Sequence, residues 1–104
     1  MNVKELLKIG EGLSVEYKES FTPSLQRDIC AFANARGGTV LLGVCDNGEK
    51  TGADLTNRLK SQLQDLSRNL DPPLNISIES CENIIAVRVP EGTDKPYSAK
   101  GRFY

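Results

Sequence analysis

The sequence predicts an α+β domain in two layers, a mixed β-sheet covered by helices, and three observations predict it. Segments with apolar residues at helical spacing alternate along the chain with segments of strand-like pattern. Residues 39–45 are apolar on both faces, which is typical of a central strand. Two late apolar segments flank a polar turn at residues 80–83, which indicates a hairpin and favours a mixed sheet over an all-parallel one.

Each element has its own local signal. Asn2 and Glu5 form a capping signal for the first helix, and leucines at three- and four-residue spacing predict the third. The predicted order is α-β-α-β-β-α-β-β with the start of a last strand: a helix in residues 2–9, a strand in 13–20, a helix from Thr22-Pro23 to Gly37-Gly38, strands at 39–45 and 50–52, a helix over 54–69, and strands at 74–80 and 82–90. The expected core is Leu6, Val15, Tyr17, Ile29, Phe32, Val40, Leu42, Val44, Leu59, Leu63, Ile76, Ile78, Ile85 and Val87.

Composition limits the chemistry that this chain can perform. The 104 residues carry 13 basic and 14 acidic side chains, a net charge of −1, so a surface that is basic throughout is excluded while a local basic patch is not. There is no histidine, which excludes Ser-His-Asp and Cys-His nucleophiles and histidine-ligated metals. Catalysis would therefore depend on carboxylates, lysine, hydroxyls or a cation bound by carboxylates.

Cysteine usage and length bear on location and organisation. Cys30, Cys45 and Cys81 are widely spaced without a C-x-x-C pair, which predicts neither a disulfide framework nor a zinc site and favours a reduced, cytoplasmic protein. No apolar run approaches the roughly 20 residues of a membrane helix, so no membrane partner is expected. The length predicts one domain over residues 1–104, and the apolar run at residues 102–104 suggests the N-terminal fragment of a longer chain.

Three acidic residues are candidates for a cation site. Glu16 lies in the middle of a predicted strand on its polar face, and Asp46 directly follows the predicted central strand. If these strands are neighbours, the two carboxylates converge, with Glu11 in reach on a glycine-flanked segment, and could hold a divalent cation. The alternative is a set of unrelated solvent-facing acids, and the spacing alone favours that alternative.

Basic residues offer a second kind of site. Lys18 could pair with Glu16 or contact a phosphate, and Arg36 lies near the end of a predicted helix, where it also suits the helix dipole. Lys95, Lys100 and Arg102 are interleaved with Tyr97, Phe103 and Tyr104 near the C-terminus, a pattern that suits contact with single-stranded nucleic acid and equally suits a solvated terminal strand. No Walker or dinucleotide-binding glycine motif is present, which argues against nucleotide hydrolysis.

The motifs together resemble one family. The stretches GEGLSVEYKES, ICAFANARGGTVLLGVCDNGEKTG, DPP and EGTDKPY resemble the Schlafen-type AlbA-like DNA-binding domain, also called the divergent AAA domain. The most specific part is E-x-K followed by A-F-A-N-x-x-G-G and G-V-x-D-x-G. In place of an acid common in the family, the turn has Cys45.

Three functions are considered, of which the first is preferred, and the resemblance implies the first two. It implies a non-enzymatic module of a transcriptional regulator that binds DNA or RNA, which we expect to involve Lys18, Arg36, Lys95, Lys100 and Arg102. Alternatively, it implies a metal-dependent endoribonuclease that uses Mg²⁺ or Mn²⁺ with Glu11, Glu16 and Asp46. Without nuclease activity, the protein is expected to need no cofactor. The third alternative is a protein-interaction or dimerisation domain. A homodimer is the expected form of self-association.

Overall fold

A computed structural model describes all residues, 1–104, and its elements confirm the predicted α+β class. The four-stranded sheet is mixed, as expected, because β1 pairs with β2 in parallel while the other pairings are antiparallel. The strands lie in the order β1-β2-β4-β3, so β2 is a central strand, and β5 and β6 form a separate hairpin. The elements are α1 (Val3–Ile9), β1 (Val15–Lys18), α2 (Leu25–Asn34), β2 (Gly38–Leu42), α3 (Asn57–Arg68), β3 (Ser77–Cys81), β4 (Ile84–Val89), β5 (Ser98–Ala99) and β6 (Arg102–Phe103).

The two faces of the sheet are covered differently. The main core, on one face, contains residues of α2, α3, β2 and β4, while the short helix α1 covers part of the other face. The register aligns Glu16 with Val40 and Tyr17 with Leu41, so Glu16 lies on the α2 face and the Tyr17 ring lies on the α1 face. Most predicted core residues are buried, whereas Leu59, Ile76 and Ile78 are only partly buried against the main core.

Helix starts follow from local hydrogen bonds. The Asn2 side chain accepts from the Glu5 N–H at 2.9 Å, and the Glu5 side chain accepts from the Asn2 N–H in return, which confirms the predicted capping box. Thr56 caps α3 by accepting from the Leu59 N–H at 3.1 Å, so the helix begins at Asn57 rather than at residue 54.

Two local predictions were wrong. Thr22-Pro23 does not begin α2, because Ser24 is the N-cap and residues 22–24 form a turn that leads directly into the helix, in which the Leu25 N–H donates to the Thr22 carbonyl. No strand forms at residues 50–52, where only a single bridge joins Val44 to Lys50. The N–H groups of both Thr51 and Gly52 donate to the Gly43 carbonyl, which closes a turn instead of extending a ladder.

The double glycine between α2 and β2 is required by close packing. Gly37 has a φ of +82°, and a Cβ there would lie 2.7 Å from the Val89 carbonyl oxygen. A Cβ on Gly38 would lie 2.5 Å from the Phe32 ring. Only glycine allows the chain to turn this tightly out of α2 and into the centre of the sheet.

Every helix of this fold is too short or too polar to cross a membrane. The longest, α3, has 12 residues.

Candidate functional site

Two openings of opposite charge lie next to each other and share Ser24. The first, which we call the acidic opening, has a volume of about 500 Å³ and is lined by Glu16, Tyr17, Lys18, Glu19, Ser20, Thr22, Ser24 and Asp46. The second, which we call the basic cleft, has a volume of about 410 Å³ and is lined by Pro23, Ser24, Gln26, Arg27, Ala99, Lys100, Arg102 and Tyr104. The start of α2 forms the boundary between them.

The parallel pairing of β1 with β2 brings the predicted acids together. The carbonyl of Lys18, at the end of β1, accepts from the N–H groups of Gly43 at 2.8 Å and Val44 at 3.2 Å. This pairing brings the chain that follows β2 beside the end of β1, so Glu16 and Asp46 line the same opening. Carboxyl ends of parallel strands meet at one edge of a sheet, which explains why the two acids lie at the same edge.

Electrostatics places Glu11 within reach of the same two acids. Desolvation by neighbouring protein atoms, together with the negative charges of Glu16 and Asp46, raises the pKa of Glu11 above its ordinary value, while Lys18 opposes the rise. Lys18 is the cation of the acidic opening, with its ammonium nitrogen 3.9 Å from Glu16 and 3.6 Å from Asp28. It therefore balances part of the negative charge that the three acids bring together.

The acidic opening extends beyond these three acids. The neighbouring Glu19 carboxylate, followed by desolvation and the charges of Glu49 and Asp46, raises the pKa of the Cys45 thiol to about 11. Glu19 was not among the predicted site residues, although its place directly after Lys18 in the E-x-K stretch was a usable signal. The region around the end of β2 is thus strongly negative, and Cys45 is a neutral thiol within it.

The arrangement of these acids does not fit a metal ion as it stands. No group of three or more His, Cys, Asp or Glu side chains in the chain lies close enough together to hold one. Glu11, Glu16 and Asp46 interact through their charges but do not form a ligand set for Mg²⁺ or Mn²⁺, which require several oxygen ligands in one shell. We therefore assign no catalytic step to a cation here.

The basic cleft brings together two of the predicted basic residues and adds a third. Arg27 on α2 faces Lys100 and Arg102 of the β5–β6 hairpin, and none of the three takes part in an ion pair. Lys100 and Gly101 form the hairpin turn, with φ angles of 51° and 79°. Arg27 was not among the residues predicted from the sequence, because nothing in the local pattern shows that the C-terminal hairpin folds against the start of α2.

The three other predicted basic residues lie outside the cleft. The Lys95 ammonium donates to the Ala35 carbonyl at 2.8 Å and to Glu91 at 2.7 Å, so it satisfies the end of α2. Arg36 lines a separate opening with Arg88 and Gly38. Lys18 lies in the acidic opening next door. The structure thus distributes the five predicted basic residues over four places rather than grouping them.

Comparison with known proteins agrees with this fold. Residues 11–104 match the Schlafen, AlbA_2 family.

The chain belongs to the Schlafen AlbA_2 family.

The resemblance seen in the sequence is therefore confirmed. A solved structure, the DIP2311 protein from Corynebacterium diphtheriae, is similar with a TM-score of 0.64 and 16% sequence identity over 93% of this chain, which shows a shared fold. This chain spans 22% of that protein's length. A comparison with curated proteins gave no match.

Within this Schlafen AlbA_2 domain, the asparagine of the A-F-A-N signature has a structural role. Asn34 Oδ1 accepts from the Tyr97 N–H at 2.6 Å, and its Nδ2 donates to the carbonyls of Tyr97 and Tyr104, each at 2.9 Å. These bonds fix the residue before β5 and the residue after β6 to the end of α2. Asn34 therefore holds in place the hairpin that forms one wall of the basic cleft, although Asn34 itself does not line the cleft.

Proposed function

We propose that this Schlafen AlbA_2 domain is a nucleic-acid-binding module of a cytoplasmic transcriptional regulator, with DNA as its ligand. The observation that carries the proposal is the basic cleft, where Arg27, Lys100 and Arg102 face one opening with no acidic residue in its lining and no ion pair. Unpaired cations are the groups that gain most from contact with a phosphate backbone, because binding releases condensed counterions.

The charge distribution also limits where a nucleic acid can lie. The whole chain has a net charge of −1, so attraction to a polyanion depends on this local patch and not on the surface as a whole. The acidic opening adjoins the cleft at Ser24 and repels phosphates. We infer that the nucleic acid lies along the hairpin side of α2 and away from Glu16 and Asp46.

Salt-dependent binding tests this proposal. Fluorescence anisotropy with labelled DNA and RNA at about 50 and 200 mM salt should show affinity that falls as salt rises. The double variant Lys100→Ala/Arg102→Ala should weaken binding to all sequences alike and lower the salt slope by roughly one for each contact removed.

A charge-matched control separates the cleft from general electrostatics. Lys4 and Lys50 both pair with Glu82, away from the basic cleft. Lys4→Ala/Lys50→Ala removes the same charge as the cleft variant and should leave affinity nearly unchanged. Equal weakening by the two double variants would contradict the cleft as the interface, and no binding to DNA or RNA at low salt would leave the protein-interaction alternative.

Cleavage of RNA is a second candidate function. It is favoured by the mutual interaction of Glu11, Glu16 and Asp46 beside the basic cleft. Because these acids do not form a metal-binding set as they are placed, a bound cation would have to draw them together. Incubation of labelled RNA with the protein and Mg²⁺ or Mn²⁺ tests this, and cleavage that is lost in Glu16→Gln would establish it over simple binding.

A further inference from the structure

The shape and composition of the basic cleft distinguish between single-stranded and duplex nucleic acid. Arg102 and Tyr104 both line the cleft, while Phe103 between them does not, as expected from alternation along an extended strand. One wall therefore presents a cation and an aromatic ring side by side. A phosphate and a base of the same strand are the two groups that this pair suits.

The Tyr104 ring is available for stacking. Tyr104 is 41% exposed, and its carbonyl, rather than its ring, makes the bond to Asn34. A base can stack on a tyrosine ring only when it is not stacked in a duplex. In proteins that bind single strands, each such contact contributes roughly 1–3 kcal/mol, and the preference for base type is weak.

The neighbouring negative charge disfavours a duplex. A single strand can follow Arg27, Lys100 and Arg102 along the cleft alone. A duplex carries a second backbone, which would be brought towards the acidic opening across Ser24, where Glu16, Glu19 and Asp46 repel phosphates. The cleft volume of about 410 Å³ is of the size of a small-ligand pocket and admits only part of one strand.

We propose that the basic cleft binds single-stranded nucleic acid, with phosphates on Arg27, Lys100 and Arg102 and a base stacked on Tyr104. This rests on the proposed function and specifies its substrate class. Three phosphate contacts on a single strand predict a salt slope of roughly −2.

The experiment compares three probes of the same length and label on the 104-residue chain. They are a mixed-sequence single strand of about 12 nucleotides, the corresponding duplex, and an abasic strand that keeps the phosphates but lacks the bases. The intact single strand should bind tightest. Tyr104→Ala should weaken its binding roughly fivefold to a hundredfold and leave the abasic strand unaffected, while Tyr104→Phe should retain binding.

Phe103→Ala is the matched control, because Phe103 is 67% exposed on the same strand but lies outside the cleft lining. It should leave single-strand affinity unchanged. Equal or tighter binding of the duplex, with no effect of Tyr104→Ala, would overturn the single-strand proposal while nucleic-acid binding itself stands. Such a result would indicate that the hairpin enters a duplex groove instead. Failure of all three probes to bind would overturn the proposed function as well.

Discussion

The side chain of Asn34 pairs with the backbone of Tyr97 as a neighbouring β-strand would. Its Oδ1 accepts from the Tyr97 N–H at 2.6 Å, and its Nδ2 donates to the Tyr97 carbonyl at 2.9 Å. The two residues are 63 positions apart in the sequence. A single amide side chain thus connects the end of α2 to the segment that leads into the β5–β6 hairpin, and the Tyr97 ring below it is almost fully buried.

Asn34→Ala should destabilise the fold by about 2–3 kcal/mol, because it leaves the Tyr97 N–H without its partner and removes two further bonds. Chemical denaturation measures the free energy of unfolding, and amide hydrogen exchange should show faster exchange at Tyr97. The control is Asn75→Ala at an exposed loop position. Equal stability of the Asn34 and Asn75 variants would show that the amide pairing contributes nothing.

Gly37→Ala should be more destabilising than Gly48→Ala. Both glycines have positive φ angles, +82° and +88°, so both substitutions incur a similar backbone cost of about 1–2 kcal/mol. Only at Gly37 does the new Cβ meet the backbone, 2.7 Å from the Val89 oxygen, while nothing lies within 4 Å at Gly48. The difference between the two variants in thermal or denaturant unfolding should therefore be about 1–3 kcal/mol. Equal losses of stability in the two variants would show that the backbone around Gly37 shifts to accommodate the new Cβ at no cost.

Glu11→Gln should stabilise the protein near pH 7 and have little effect at acid pH. The pKa of Glu11 is raised above its ordinary value of 4.5 by desolvation and by Glu16 and Asp46, so the folded state binds its proton more tightly than the unfolded state does. The folded state therefore loses stability as pH rises from about 4.5 through the raised pKa of Glu11. Denaturation of both proteins across pH measures the difference. In Asp46→Asn, NMR titration should show a lower pKa for Glu11.

Glu82 provides a control of opposite sign. A hydrogen bond to Lys50 and the charge of Lys4 hold the pKa of Glu82 below its ordinary value of 4.5. The ionised Glu82 therefore contributes to the stability of the folded state above pH 4.5, and this contribution is lost as pH falls through the lowered pKa of the folded state. Glu82→Gln should accordingly destabilise near pH 7, and the difference should disappear under acid conditions. The same direction of effect in both variants would refute the assignment of Glu11 to a repulsive cluster.

Cys45 should react slowly with alkylating agents near pH 8, because its thiol pKa is raised to about 11 and the thiolate is the reactive form. Glu19→Gln removes the carboxylate charge that contributes most to this rise and should speed alkylation. Glu49→Gln removes a charge that contributes less and should have a smaller effect. Mass spectrometry of the labelled peptide measures the rate at Cys45 alone, and an unchanged rate in Glu19→Gln would mean that Glu19 does not raise the thiol pKa.

The fold was predictable because its determinants are local or periodic. The capping box at Asn2, the leucine spacing of α3 and the doubly apolar run of β2 are all evident within a few residues. The errors occurred where backbone hydrogen bonds compete. At residues 50–52 the Gly43 carbonyl accepts hydrogen bonds from the Thr51 and Gly52 N–H groups, which a strand would have used for pairing. The sequence pattern does not show which carbonyl these groups bond to.

The candidate site was predictable only in part, because it depends on contacts between distant segments. Glu16 and Asp46 could be placed in one opening from the inferred strand neighbours. The grouping of Arg27 with Lys100 and Arg102 depends on the hairpin folding against α2, which Asn34 achieves through a bond across 63 positions. No local pattern shows that bond, so Lys18, Arg36 and Lys95 were predicted to bind nucleic acid together with Lys100 and Arg102, although they lie elsewhere.

The structural role of Asn34, Gly37 and Gly38 has a consequence for how genomes are searched. Because these signature residues build the turn out of α2 and hold the C-terminal hairpin, a motif search with them collects genes whose products share an architecture, whatever those products do. Sorting the collected genes by chemistry requires comparison at other positions of the chain. These are the charges at positions 27, 100 and 102, and whether position 45 has a thiol or a carboxylate. Changes of charge at these positions would alter what the domain binds while Asn34, Gly37 and Gly38 keep its architecture, so genes that share the signature need not share a ligand.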